Sequence, residues 1–439
     1  KQLPDFCHPR PSQPTAPAMR LSATLVLAGS AAPPAFQRLP TGATTPKGWL
    51  LKQLVLQAEG LSGHLSQFWD DIQDSIWIGG KADGDLHERA PYWLNGFVPL
   101  AYLLKNANIT ELDGMAGIYK QTAACAALEK AFPDCKDIPA VRPLDQVDQY
   151  VSYIMAHQSN TTGWLGPDDQ PAGGDQYWGP SNVLQSLWQY AEAEPTKTQE
   201  VVAVIIKHLL AMKTRMETIP MTSWAAYRWI DLAFTAEWVL ATAPQGHEAE
   251  LKELISMLHD QGNDWDSIFR DPHGEHNVNV AQGLKSAAVE YLASDGTNAS
   301  AYTALSRQRM AELDAQYGLA TGMYVGDELM PDGPLSSPSR GIELCGVVES
   351  MYSYNIMLST HGDPAFGDRV ERIAYNALPA TWASPRGGDM WAHQYLQAVN
   401  EVVAAQSNPH LWTHDNDMSE TYGLAPNFGC CTANFNQGW

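Results

Sequence analysis

The sequence predicts an all-α fold, a toroid of paired helices, on three observations. Apolar residues recur at helical spacing nearly everywhere: Val183, Leu184, Leu187, Trp188 and Ala191 follow i, i+4 and i+8, and Leu232 to Ala241 continues the habit. The period-two alternation of a half-buried strand is scarce. The helical runs are separated by Gly-, Pro- and Asp-rich turns of very unequal length, such as the stretch from Asp168 to Gly174, and no fixed period marks a solenoid of repeats. Unequal loops suit a toroid that carries function on one rim.

Taken in order, the predicted helices lie near 47–58, 91–105, 111–131, 144–158, 181–193, 197–213, 222–242, 247–260, 277–293, 298–316, 343–359 and 366–377. Each is an apolar-periodic run bounded by turn residues, and about twelve in succession give an α/α toroid.

With 439 residues, 44% of them hydrophobic and including 15 Trp and 17 Tyr, the chain can bury a large core. Its 49 acidic residues against 27 basic ones leave a net charge of −22, which repels phosphate backbones and anionic lipid alike. Nucleic acid and membrane partners are therefore not expected. A second copy of the chain, as a homodimer, is left open by composition.

Secretion is the expected localisation. Met19-Arg20 precedes a short apolar run, Leu21 to Ala28, ending in small residues, which has the form of a leader and is too short to span a membrane. Three N-x-S/T sequons, at Asn108, Asn160 and Asn298, agree with it. Residues 1–44 are read as leader or disordered sequence, and 45–439 as the folded domain.

Six cysteines raise the question of pairing. Cys125 and Cys135 can close a disulfide, and Cys7 lies in the leader. Cys345, Cys430 and Cys431 are an odd set, and a bridge between adjacent cysteines is strained. With Glu343 they offer three thiolates and a carboxylate, a donor set that suits tetrahedral Zn²⁺. A zinc site built this way is either closed and purely structural, or lends one sulfur to chemistry as a nucleophile.

The motif Gly341-Ile342-Glu343-Leu344-Cys345-Gly346, followed by Phe428-Gly429-Cys430-Cys431, resembles the β-L-arabinofuranosidases of glycoside hydrolase family 127. The segments 46–51, 88–94, 276–285, 322–328 and 372–379 support the resemblance in their order along the chain, which covers most of its length. The resemblance implies an (α/α)6 barrel, a Zn²⁺ held by Glu343, Cys345, Cys430 and Cys431, and retaining hydrolysis of a carbohydrate substrate through a cysteinyl-glycoside at Cys430. It also implies a general acid in the pair Asp327-Glu328, with Glu328 chosen and Asp327 the fallback, because a neutral Glu can protonate a leaving oxygen and then activate water as the carboxylate.

His276 matches a family segment that contributes to the sugar site and is taken as substrate-binding, with His273 as its competitor. Tyr395 and His393 are expected at the rim. Trp178 and Trp164 are candidate stacking platforms for the C–H face of a sugar. Glu88-Arg89 either faces the site or forms an ion pair at a helix start. Two departures stand out. A histidine of the family pattern is replaced around Pro180 to Asn182, and the chain stops eight residues after Cys431, where family members continue into β-rich domains. The expectation is therefore a barrel truncated at its C-terminus. Two other readings remain open: an inverting glycosidase using two carboxylates, with Asp70 or Asp71 as base, and a glycan-binding protein without catalysis.

Overall fold

In a computed structural model, residues 32–84, 86–112, 140–167, 173–331, 340–382, 390–398 and 418–438 are described. The disulfide expected between Cys125 and Cys135 and most of the predicted 111–131 helix fall outside these residues.

Helices differ in how they are buried, and the difference sorts them into two layers. Arg89–Asn106 (α4), Trp178–Ala193 (α6), Trp229–Thr242 (α9), Asn277–Gly283 with Ser286–Ala293 (α12, α13) and Leu344–His361 (α15) are buried on almost every face. A helix apolar all round belongs inside a protein. Between them run helices that bury one stripe and expose the other: Pro143–Ala156 (α5), Thr198–Met216 (α7), Glu248–Gln261 (α10), Ala299–Tyr317 (α14) and Pro364–Ala374 (α16). Inner and outer helices thus alternate along the chain, as in an α/α barrel. The last helix, Gly429–Asn434 (α17), packs on both α15 and α4 and closes the inner ring.

The periodicity placed most long helices within a few residues. Two runs read as single helices are broken. The 222–242 run divides at Arg228 into Ser223–Tyr227 (α8) and α9, and the 277–293 run divides at Leu284 and Lys285. Each break turns a cation into the barrel interior, since Arg228 and Lys285 are both buried. Helices Leu61–Phe68 (α2), Asp70–Gln73 (α3) and Trp265–Arg270 (α11) were not foreseen, being too short to show a period. The only paired strands among the described residues are Gly341–Glu343 (β1) and Leu396–Ala398 (β2), antiparallel with Glu343 opposite Leu396.

The stretch from Ala32 to Thr41, set with the leader on sequence grounds, is docked on the body. Ala32, Ala35 and Phe36 donate backbone hydrogen bonds to Leu292, Thr360 and Ser359, and Arg38 and Thr41 bind the carboxylate of Glu192. Its peptide groups find partners that a detached leader lacks. Among the described residues no helix is long and apolar enough to cross a membrane.

Candidate functional site

The N-terminal ends of the six inner segments meet at one end of the barrel, and each brings a polar side chain there. Glu88 and Arg89 open α4, Trp178 opens α6, Arg228 precedes α9, His276 caps α12, Glu343 precedes α15, and Cys430 lies in the first turn of α17. Contacts run between these ends. Trp178 Nε1 donates to Glu88 Oε2 at 3.0 Å, and the Arg228 guanidinium lies 4.2 Å from the Trp178 ring and 4.7 Å from Trp224. The Trp224 ring meets His276 edge-on at 4.8 Å, and His276 reaches Glu328.

Four ligand-type residues converge at the β1–α15 junction. One donor atom each from Glu343, Cys345, Cys430 and Cys431 lies within 4.8 Å of all the others. Cys431 Sγ stands 3.2 Å from Cys345 Sγ and 3.6 Å from Glu343 Oε1, and it accepts the backbone N–H of Cys345. No disulfide joins these three thiols. A tetrahedral zinc, with Zn–S bonds of about 2.3 Å, holds its sulfurs roughly 3.8 Å apart, so the donor set fits such an ion in type, number and spread. The cluster forms a possible metal-binding group.

Its electrostatics single out one sulfur. Burial pushes the thiols of Cys345 and Cys431 well up, while hydrogen bonds from Cys345 and Cys431 hold Cys430 well below the usual thiol range, helped by Arg89 and His276. Of the three, Cys430 is the thiol whose surroundings most favour the anion. It is also the one of the three that is not fully buried. A thiolate that is partly accessible is the form in which sulfur attacks carbon.

A second group of donor atoms, from His276, Glu328 and Glu343, also lies within 4.8 Å of one another. Glu343 therefore links the carboxylate of Glu328 to the cysteine cluster. The Tyr395 hydroxyl donates to Glu328 Oε2, and His276 Nε2 stands 3.0 Å from Oε1. Glu328 occupies the left-handed region at φ 68°, unusual for a residue with a side chain and a form of backbone strain that gathers at functional sites. Asn277 holds the two parts together, since its side-chain amide binds Glu343 Oε2 and its backbone N–H donates to the carbonyl of Glu328 at 3.1 Å.

The structure brings Cys430, Glu328, His276, Tyr395, Glu343, Cys345 and Cys431 into one place. Five expectations change. Asp327 points inward, fully buried in a two-pronged ion pair with Arg340, so the fallback acid is occupied structurally. Neither Tyr395 nor His393 is on a rim: Tyr395 is fully buried with its hydroxyl on Glu328, and His393 is fully buried, stacks on Phe435 and pairs with Thr432 Oγ1 at 3.0 Å, which makes it a support behind the α17 helix. Trp178 is 1% exposed with a guanidinium over its ring, so it holds Glu88 and Arg228 rather than offering a free face. Trp164 packs against His208 and Tyr177. His273 sits in the turn before His276, and Asp70 and Asp71 open the short α3; none of the three is in either donor cluster.

Arg228, Trp224 and Asn277 were missed. A lone arginine inside an aromatic run, Trp224 to Trp229, was the available signal for the first two. Burial raises Glu88 to about 7, with the Cys430 charge adding to it and Arg89 and Arg228 opposing. A cavity of about 630 Å³ opens further along the bore among Asn95, Gln185, Trp188, Gln189, Asn436 and Gln437, and none of the four ligand-type residues lines it.

The fold has known counterparts. It is similar to a solved glycoside hydrolase with a TM-score of 0.60 at 12% identity, over 93% of this chain and 62% of that one. It is also similar to a GH127 β-arabinofuranosidase, TM-score 0.58 at 12% identity over 92% and 61%, and to a GH127 β-L-arabinofuranosidase from Geobacillus stearothermophilus T6, TM-score 0.54 at 12% identity over 90% and 64%. The chain thus spans a little over six tenths of the length of these proteins. No family model and no curated protein matches the sequence. The fold is that of the GH127-like helical barrel.

Proposed function

We propose that the chain is a zinc-dependent retaining glycoside hydrolase with Cys430 as nucleophile and Glu328 as acid/base, acting on β-L-arabinofuranosides or a related rare sugar of plant glycans. The observation that carries this reading is the single partly exposed thiol of the cluster, Cys430, joined through Glu343 to a group that holds Glu328, whose carboxylate two side chains fix in place. The substrate class comes from the sequence motifs together with the names of the fold neighbours.

In the first step the Cys430 sulfur bonds the anomeric carbon, the glycosidic C–O bond breaks, and Glu328 gives its proton to the leaving oxygen. In the second, water attacks the same carbon, its proton passes to Glu328, and the C–S bond breaks with its electron pair returning to sulfur. Two displacements at one carbon retain configuration. Zinc at Glu343, Cys345, Cys430 and Cys431 would supply Lewis-acid stabilisation of sulfur charge. His276 and Tyr395 orient Glu328 by holding its two carboxylate oxygens. Trp224 and Arg228 wall the same end of the barrel.

Secretion belongs to the same reading. The asparagines of all three sequons are exposed, as glycosylation needs. Release of L-arabinose from an aryl β-L-arabinofuranoside, compared between the protein and Cys430→Ser at matched zinc content, tests the proposal. Hydrolysis by the protein and none by the variant supports it; equal hydrolysis by both refutes it.

A further inference from the structure

Arg89 lies in a slot made by two glycines on different segments. A Cβ on Gly84 would stand 1.9 Å from Arg89 Cγ, and one on Gly429 would stand 1.7 Å from Arg89 Nη1 and 2.9 Å from Trp69 Cζ2. No side chain larger than hydrogen fits at either position while the arginine keeps its place. The guanidinium therefore rests against the backbone one residue before Cys430. Its side chain is 9% exposed and its Nε lies 3.8 Å from Glu88 Oε1. Arg89 thus stands beside the first turn of α17, the turn that carries Cys430.

We propose that Arg89 is a positioning residue that stabilises Cys430 as the departing thiolate in the second half of the reaction. This rests on the cysteinyl-glycoside reading above. In the first displacement sulfur begins as an anion and ends as a neutral thioether, so a cation beside it stabilises the start more than the transition state. In the second, the C–S bond breaks and the electron pair returns to sulfur, so the same cation stabilises the transition state more than the start. Removing the cation accordingly slows hydrolysis of the intermediate while sparing its formation. An arginine with a merely structural role has no such asymmetry.

The test is rapid-mixing kinetics on an aryl β-L-arabinofuranoside with a good phenolate leaving group, using the full chain, Arg89→Met and Arg89→Lys at matched zinc content. In Arg89→Met the phenolate burst becomes stoichiometric with enzyme, kcat falls about tenfold or more, and kcat/KM stays within a few-fold. Arg89→Lys recovers most of kcat. Should Arg89→Met fail to fold, Gly84→Ala, which displaces the arginine without removing its charge, is expected to show the same split in weaker form. Parallel loss of kcat and kcat/KM in a folded variant, or Arg89→Met kinetics equal to those of the parent, overturns the inference while leaving the nucleophile in place. A parent enzyme that turns over without ever carrying sugar on cysteine overturns both.

Discussion

His276 Nε2 stands 3.0 Å from Glu328 Oε1, joining residues 52 positions apart. His276 Nδ1 accepts the backbone N–H of Val278, which leaves Nε2 to donate to the carboxylate. With Tyr395 on the other oxygen, both lone-pair faces of Glu328 are fixed.

From this follows the effect of Glu328→Gln. General acid catalysis contributes about 10²–10⁴-fold, and most where the leaving group is poor. The variant is expected to lose activity in that range on an alkyl glycoside and to lose less of the first step on an activated aryl glycoside. Measuring kcat/KM on both substrates checks it. Equal losses on the two would remove Glu328 from the role of acid.

Metal removal is the next expectation. A ligand that binds only the folded protein stabilises it, and the buried thiols of Cys345 and Cys431 need a cation to ionise. A strong chelator should lower the Tm and release about one zinc per chain, read by a metal indicator. In Cys345→Ser the Tm should already be low and insensitive to the chelator.

Lys285 and Asp231 form a pair 3.0 Å apart, with side chains 0% and 2% exposed. Breaking a buried pair by removing one partner leaves an uncompensated charge and costs about 3–5 kcal/mol. Lys285→Met should therefore lose roughly that much in denaturant unfolding, and pairing it with Asp231→Leu should recover a good part. A single variant as stable as the parent would contradict the prediction.

The pH dependence of stability has two signs that different residues carry. Burial raises Glu237 from 4.5 to about 7, so its contribution is present below pH 4.5 and lost as pH rises through 7, about 3 kcal/mol in all. Burial lowers His208 from 6.5 to about 3, and its Nδ1 accepts the Leu165 N–H at 2.9 Å. Its contribution is present above pH 6.5 and lost as pH falls toward 3. Glu237→Gln should flatten the decline between pH 4.5 and about 7, and His208→Gln the one between pH 6.5 and about 3, each followed by urea unfolding across pH.

Much of this was legible in the sequence because long helices repeat their burial every turn and because cysteine, with six in the chain, is a rare donor that stands here in two short motifs. Glu328 could be chosen over Asp327 only by role; the structure gives the reason, since Asp327 is spent on Arg340. Arg228 was hidden because a helix break between two apolar stretches looks like continuous periodicity. His393 misled because an aromatic-rich loop reads alike whether it faces a sugar or a neighbouring helix, and only packing against Phe435 tells which. The two-glycine slot for Arg89 joins Gly84 to Gly429, and no local pattern announces a contact between segments so distant.

The most direct test of the account is mass spectrometry of enzyme quenched in acid during turnover of an activated aryl β-L-arabinofuranoside, followed by peptide mapping. A pentosyl residue is expected on the peptide bearing Cys430, absent from Cys430→Ser. A sugar carried on a carboxylate, or turnover by the parent with no sugar on any cysteine, would contradict it.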